Sequence, residues 1–160
     1  MAGFSAKTYT KTGVEMDVLN ADPHRLIVIL FDGAIGTIQR AKGFMAQKKT
    51  AEKCDAIDQA MRIIDCGLCA SVDPSHAPQF AARLVGLYRY MLRRLVLANS
   101  RNDAKILDEV TGLLGGLRDA WAKIGAGAAV QPVAVQAALE PVVQRANMTY
   151  AARALHAYRA

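Results

Sequence analysis

The reactive side chains of this sequence are few and scattered. Cys66 and Cys69 have the C-x-x-C spacing of redox and zinc sites. A tetrahedral zinc site needs two further ligands, and only His76 is close in sequence. A dithiol redox site of this spacing belongs in a βαβ setting, which the surrounding residues do not provide. The residues favour small cysteines packed on a helix, with Cys54 a third. His24, His76 and His156 have no acid or nucleophile at a telling spacing, and His24, beside a helix start, is expected to face solvent. Asp32 and Asp65 sit among apolar neighbours without a local partner, which points to capping or a hydrogen bond within the fold. Gly112, Gly115 and Gly116 form no phosphate loop; inside a helix they favour close approach of another element. These residues make no catalytic constellation, so neither enzymatic activity nor a cofactor or metal is expected.

The elements that carry these residues are helical. Of 160 residues, 52% are hydrophobic and 21% charged, enough for one domain around a single core. Ala and Leu dominate the apolar set, and no strand-like alternation competes. The net charge of +6 is spread along the chain, with its densest cluster at Arg89, Arg93 and Arg94. No run of five like charges occurs and the aromatics do not interleave with the basic residues. Nucleic acid is therefore disfavoured, and the charge suits an acidic protein partner or solubility. The polar start lacks a signal-type apolar region, and the run Leu26 to Phe31 is too short to cross a bilayer. With three cysteines, an odd number, a reducing cytoplasmic setting without a membrane partner is expected.

Four helices can be placed by period and punctuation. Residues 1–20 read as a flexible arm. Asp22 can cap a first helix with Pro23 at its first position, followed by Ile27, Leu30, Phe31, Ala34, Ile38, Ala41 and Met45. Lys48 and Lys49 suit its end. A second helix runs from Thr50 to about Ser71 on the stripe Cys54, Ile57, Met61, Ile64 and Leu68. The turn Asp73-Pro74-Ser75 closes it. A third spans about Ala77 to Ala98, and Asn102 or Asp103 caps a fourth that ends at Gly125. Short connections make neighbours antiparallel, so the predicted fold is all-α: an antiparallel four-helix bundle over 21–125. Residues 126–160 read as an additional C-terminal amphipathic helix, on Val135, Leu139, Val142, Val143, Ala146 and Tyr150, kinked or restarted at Pro141.

The third helix carries more apolar surface than a bundle core absorbs. Between Phe80 and Ala98 only Arg83, Gly86, Arg89, Arg93 and Arg94 are non-apolar, with Tyr90 amphipathic. A bundle helix needs about three apolar positions in seven. The excess is either covered by the arm and tail or reserved as a groove for an amphipathic helix of a partner. The two are compatible, because a covering segment can be displaced. Trp121 is expected in the core, and Tyr88 at a groove edge.

The residues also carry a resemblance. Asn20-Ala21-Asp22-Pro23, Leu26 and Leu30-Phe31-Asp32-Gly33-Ala34 are followed by Leu87-Tyr88-Arg89-Tyr90-Met91, Arg94-Leu95 and Ala98-Asn99. Asn102-Asp103, Leu107, Glu109-Val110, Leu113-Leu114, Leu117-Arg118 and Ala120-Trp121 complete the series. In order and spacing this set, from Tyr9 to Ile124, resembles the flagellin-binding FliS chaperone family. The resemblance implies a cytoplasmic helical bundle that binds the disordered C-terminal segment of flagellin in apolar grooves, and that also meets a component of the export gate. It implies a mobile arm whose tyrosine, Tyr9 here, covers part of the empty site. Phe31 replaces the tyrosine usual in the family, and the tail after Gly125 extends past the family's usual end. That tail can mimic cargo in the groove or make a dimer contact. The residues assigned to cargo are Tyr9, Leu26, Ile29, Phe31, Val85, Tyr88, Leu92, Val96 and Asn99. The competing reading is a helical adaptor that buries the same surface in a homodimer, without flagellin cargo.

Overall fold

The computed structural model describes residues 23–124, 136–137 and 140–148. Four long helical elements form the body: α1 (Pro23–Ala46), α2 (Thr50–Arg62, continued by a π-helical stretch Ile63–Cys69), α3 (Pro78–Arg101) and α4 (Ala104–Lys123). The α5 helix is the segment 140–148. All described elements are helical, as the composition predicts.

Each helix packs on its chain neighbours, and α4 returns to α1 to close the ring. The register between α1 and α4 is antiparallel. Lys42 pairs with Asp108 at 2.6 Å near one end, and Asp32 pairs with Arg118 at 2.9 Å nearer the other. That pair supplies the within-fold partner expected for Asp32. The core is filled from all four helices: Phe31 and Ile38, Ile57, Ile64 and Leu68, Leu87, Met91 and Leu95, and Leu107, Leu114 and Leu117 are all fully buried.

The turns follow from local chemistry. After α1, Lys48 takes φ 58°, a left-handed conformation, and the Lys49 amide donates to the Phe44 carbonyl at 3.0 Å. After α3, Asn102 adopts φ 50°, which asparagine tolerates better than most residues. Asp103 then caps α4 by accepting the Lys105 amide at 2.9 Å. This tight reversal is held from beneath by Lys53, a buried lysine that sequence reasoning did not single out. Its ammonium donates to the Asn99 carbonyl at 3.0 Å and to Asn102 Oδ1 at 2.5 Å. A cation there also complements the C-terminal end of the α3 dipole.

Two expectations at the ends of the body are corrected. His24 is buried rather than solvent-facing. Its ring stacks on Trp121 with centroids 5.6 Å apart, and Nε2 donates to the Trp121 carbonyl at 2.8 Å. Trp121 Nε1 returns a bond to the His24 carbonyl at 3.1 Å. The reciprocal pair clamps the start of α1 to the end of α4, and it leaves Trp121 half-buried at the edge of the core. The glycines of α4 also differ among themselves. A Cβ at Gly116 would meet Val142 at 3.3 Å, whereas Gly112 and Gly115 face open space.

The second helix departs from the predicted stripe. Its buried positions are Lys53, Ala56, Ile57, Ala60, Ile64 and Leu68, while Cys54 and Met61 are only half-buried. Beyond Arg62 the backbone widens into π geometry, with the Ala70 amide donating to the Asp65 carbonyl at 3.2 Å. Gly67 lies in this stretch, and the Leu30 side chain comes within 3.1 Å of where its Cβ would be. Its missing side chain lets α1 approach closely, while Ile64 and Leu68 point into the core and Asp65 and Cys66 face out.

Candidate partner-binding groove

The α2/α3 seam carries the apolar surface that the core leaves over. On α3, Val85, Leu92, Val96 and Asn99 recur at spacings that place them on one face, next to the core stripe Leu84, Leu87, Met91 and Leu95. Val85, Leu92 and Asn99 are half-buried, and Val96 is 54% exposed. Neither Val85 nor Val96 packs against the core cluster. Leu92 does pack against the core, so the excess apolar surface predicted for this helix is partly covered and is most accessible at Val96.

The opposite wall is α2. Asp58, Met61, Arg62, Asp65 and Cys66, together with Leu92, line an open groove of about 330 Å³. Its floor is apolar, from Met61 and Leu92. Its rim carries both signs of charge, with Asp58 and Asp65 beside Arg62, all on α2. An apolar strip inside a mixed polar rim is the composition of a protein-docking surface. At one end Asn99 accepts the Cys54 thiol at 3.4 Å through its side-chain oxygen, and its carbonyl is held by Lys53. Toward the other end, Cys69 lies deeper. Burial, and then the nearby Asp65 carboxylate, push its thiol pKa up, with Arg89 opposing. Cys66 is exposed, against the expectation that the cysteines pack inward, because two residues from both Ile64 and Leu68 it falls on the opposite face of the helix.

The residues assigned to cargo thus divide. Val85, Leu92, Val96 and Asn99 share the α2/α3 seam. Phe31 and Tyr88 are corrected: at 1% and 3% exposure they are core residues, because α1 and α3 turn these rings toward the bundle axis. Tyr88 belongs to the buried core instead of edging a groove, and desolvation, aided by Cys69, raises its phenol well above the ordinary range. Leu26 and Ile29 are half-buried on α1, which lies across the bundle from α3, and neither packs against the core cluster. Tyr9 is outside the described residues. The α2 wall was missed altogether. Met61 packs against the core as its stripe predicts and also lines the groove, and the period alone, which turns Cys66 away from Ile64 and Leu68, does not tell which neighbour that outer face meets.

Among the described residues no three His, Cys, Asp or Glu side chains cluster to hold a metal, and no helix is long and apolar enough to cross a membrane. The groove's chemistry is apolar contact with a charged rim.

Comparison with known proteins identifies the family. The family described as Flagellar protein FliS matches residues 5–128. The flagellar secretion chaperone FliS of Salmonella typhimurium is 43% identical over 125 residues, which span 78% of this chain and 93% of the relative. The Escherichia coli flagellar secretion chaperone FliS is 36% identical over 120 residues, 75% of this chain and 88% of the relative. FliSB of Pseudomonas aeruginosa, also a flagellar secretion chaperone, is 38% identical over 115 residues, 72% and 90% of the two chains. With its helical body matched from end to end, the chain belongs to the FliS family of flagellar secretion chaperones.

Proposed function

We propose that this chain is a flagellin-specific export chaperone that holds the disordered C-terminal segment of flagellin on its surface as helices. It thereby blocks polymerisation before export and delivers the cargo to the flagellar export apparatus, through a component of the export gate, from the cytoplasm. The observation that carries this reading is the accessible Met61–Leu92–Val96 strip, in a chain whose relatives are flagellar secretion chaperones. Val85, Leu92 and Val96 supply apolar anchors on α3, and Met61 supplies one on α2. Asn99 accepts one bond from Cys54 on its side-chain oxygen, which leaves its amide N–H groups and a second lone pair for cargo backbone. Leu26 and Ile29 serve a second stretch of cargo on α1. The body over 21–125 carries the groove, the arm over 1–20 covers part of it through Tyr9 when it is empty, and the tail over 126–160 adds a further element.

Ordering a disordered segment costs about 2–5 kcal/mol, so an extended apolar footprint over several helices suits the task better than one deep pocket. The affinity expected is sub-micromolar, roughly −8 kcal/mol or better. The test is titration with a peptide of the flagellin C-terminal segment, following helicity and alkylation of the groove cysteine Cys66. A gain of helix with saturable protection of Cys66 is expected. Full reactivity of Cys66 at saturating peptide refutes the α2/α3 seam as the site, and no binding at all refutes flagellin as cargo.

A further inference from the structure

The segment 140–148 does not stand free. It is seated on α3 and α4, on the side of α3 away from the groove just described. Glu140 Oε1 accepts Arg83 of α3 at 2.5 Å. Val142 lies against Gly116 of α4, where an added Cβ would be only 3.3 Å away. Val143 is fully buried and Ala146 nearly so. A furrow opened by a glycine on α4 and walled by α3 thus accepts the apolar face of a helix. The family match ends at residue 128, so the occupant comes from sequence outside the matched body.

The polar contact that anchors this helix is incomplete. An arginine and a carboxylate pair best through two parallel bonds, Nε and Nη each meeting an oxygen. Here only Nη2 and Oε1 meet, and Arg83 Nε and Glu140 Oε2 are both buried with no hydrogen-bond partner among the described residues. Two orphaned polar atoms at one joint carry a desolvation cost that a better-aligned carboxylate would relieve.

We propose that the α3/α4 furrow is a second helix-accepting site, occupied in cis by residues 140–148, and that this tail competes there with a helix of the flagellin segment. The proposal rests on the cargo reading above. The competing helix is defined by the same chemistry: a carboxylate for Arg83, then a branched apolar residue three positions on and a small residue three beyond that, as in Glu140, Val143 and Ala146. The open α2/α3 groove binds first, and the furrow becomes available only when the tail lifts. Apparent affinity is then lowered by the fraction of molecules whose furrow is closed.

The test uses the full chain carrying Val143→Asp, which puts a charge on the buried contact without altering the four-helix body. Hydrogen exchange of 140–148 and affinity for the flagellin C-terminal peptide are measured together. Loss of protection in 140–148 with binding about tenfold tighter than wild type is expected. Retained protection, or lost protection with unchanged or weaker binding, overturns the proposal. A second variant, Gly116→Leu, fills the furrow against both occupants and is expected to release the tail without tightening cargo. Tightening in Gly116→Leu equal to that of Val143→Asp shows that cargo does not use the furrow, and overturns it too. Peptide that binds neither wild type nor Val143→Asp rejects the cargo reading itself, whereas equal binding to both rejects only the competition.

Discussion

Truncating Val96 separates binding from folding. The residue is 54% exposed and does not pack against the core cluster. Full removal of a valine side chain from water contributes about 1.5–3 kcal/mol, so covering its exposed half contributes about 1 kcal/mol. Val96→Ala forfeits most of that on cargo binding, which corresponds to about a fivefold rise in Kd. Val96→Asp adds the desolvation of a carboxylate and raises Kd at least tenfold, or about 1.4 kcal/mol and more. Folding stability moves the other way or not at all. Alanine is a better helix former than valine by up to about 0.7 kcal/mol, and no core contact is lost. The control is Met91→Ala, five positions earlier and fully buried, which costs about 2–5 kcal/mol of stability. Isothermal titration with the flagellin C-terminal peptide, paired with thermal melts, reads both quantities. Weakened binding without a lowered Tm supports the α2/α3 seam as the docking surface. Wild-type affinity in both Val96 variants refutes it.

Three further outcomes follow from the fold. Lys53→Met keeps the buried stem but removes the ammonium that holds Asn99 and Asn102; we expect a loss of about 1–3 kcal/mol, seen in urea melts together with faster exchange at the α3–α4 turn. A melt at wild-type stability would show that the turn holds itself. Cys66 should alkylate faster than Cys69 at neutral pH. Burial and Asp65 raise the Cys69 thiol, so its rate should climb only as pH rises past the ordinary thiol range, and Asp65→Asn should shift that climb to lower pH. Equal rates with the same pH profile would contradict that placement. Gly36→Ala, at an exposed α1 position with open space for a Cβ, should stabilise the chain by about 0.5–1 kcal/mol, or roughly 2–4 °C in Tm. A lowered Tm would mean the position is not free.

The amino-acid sequence by itself determined the helices and their punctuation. Pro23 opens α1, Pro78 opens α3, and Asp103 caps α4, because these are local backbone effects that need no partner. The sequence also determined that α3 carries surplus apolar surface, since Val85, Leu92 and Val96 sit on a face its core stripe does not need. Only the tertiary structure decided which surplus residues stay accessible. Phe31 and Tyr88 read as groove residues by type, yet the orientation of α1 and α3 in the bundle buries both. Met61 read as core and does pack against it, yet the seam with α3 also leaves it lining the groove, next to the outward-facing Asp65 and Cys66. His24, Lys53 and Arg83 found partners 97, 46 and 57 residues away in the chain, distances over which no local pattern can report a contact. Periodicity fixes which side chains share a face; which face is closed depends on the helices laid against it.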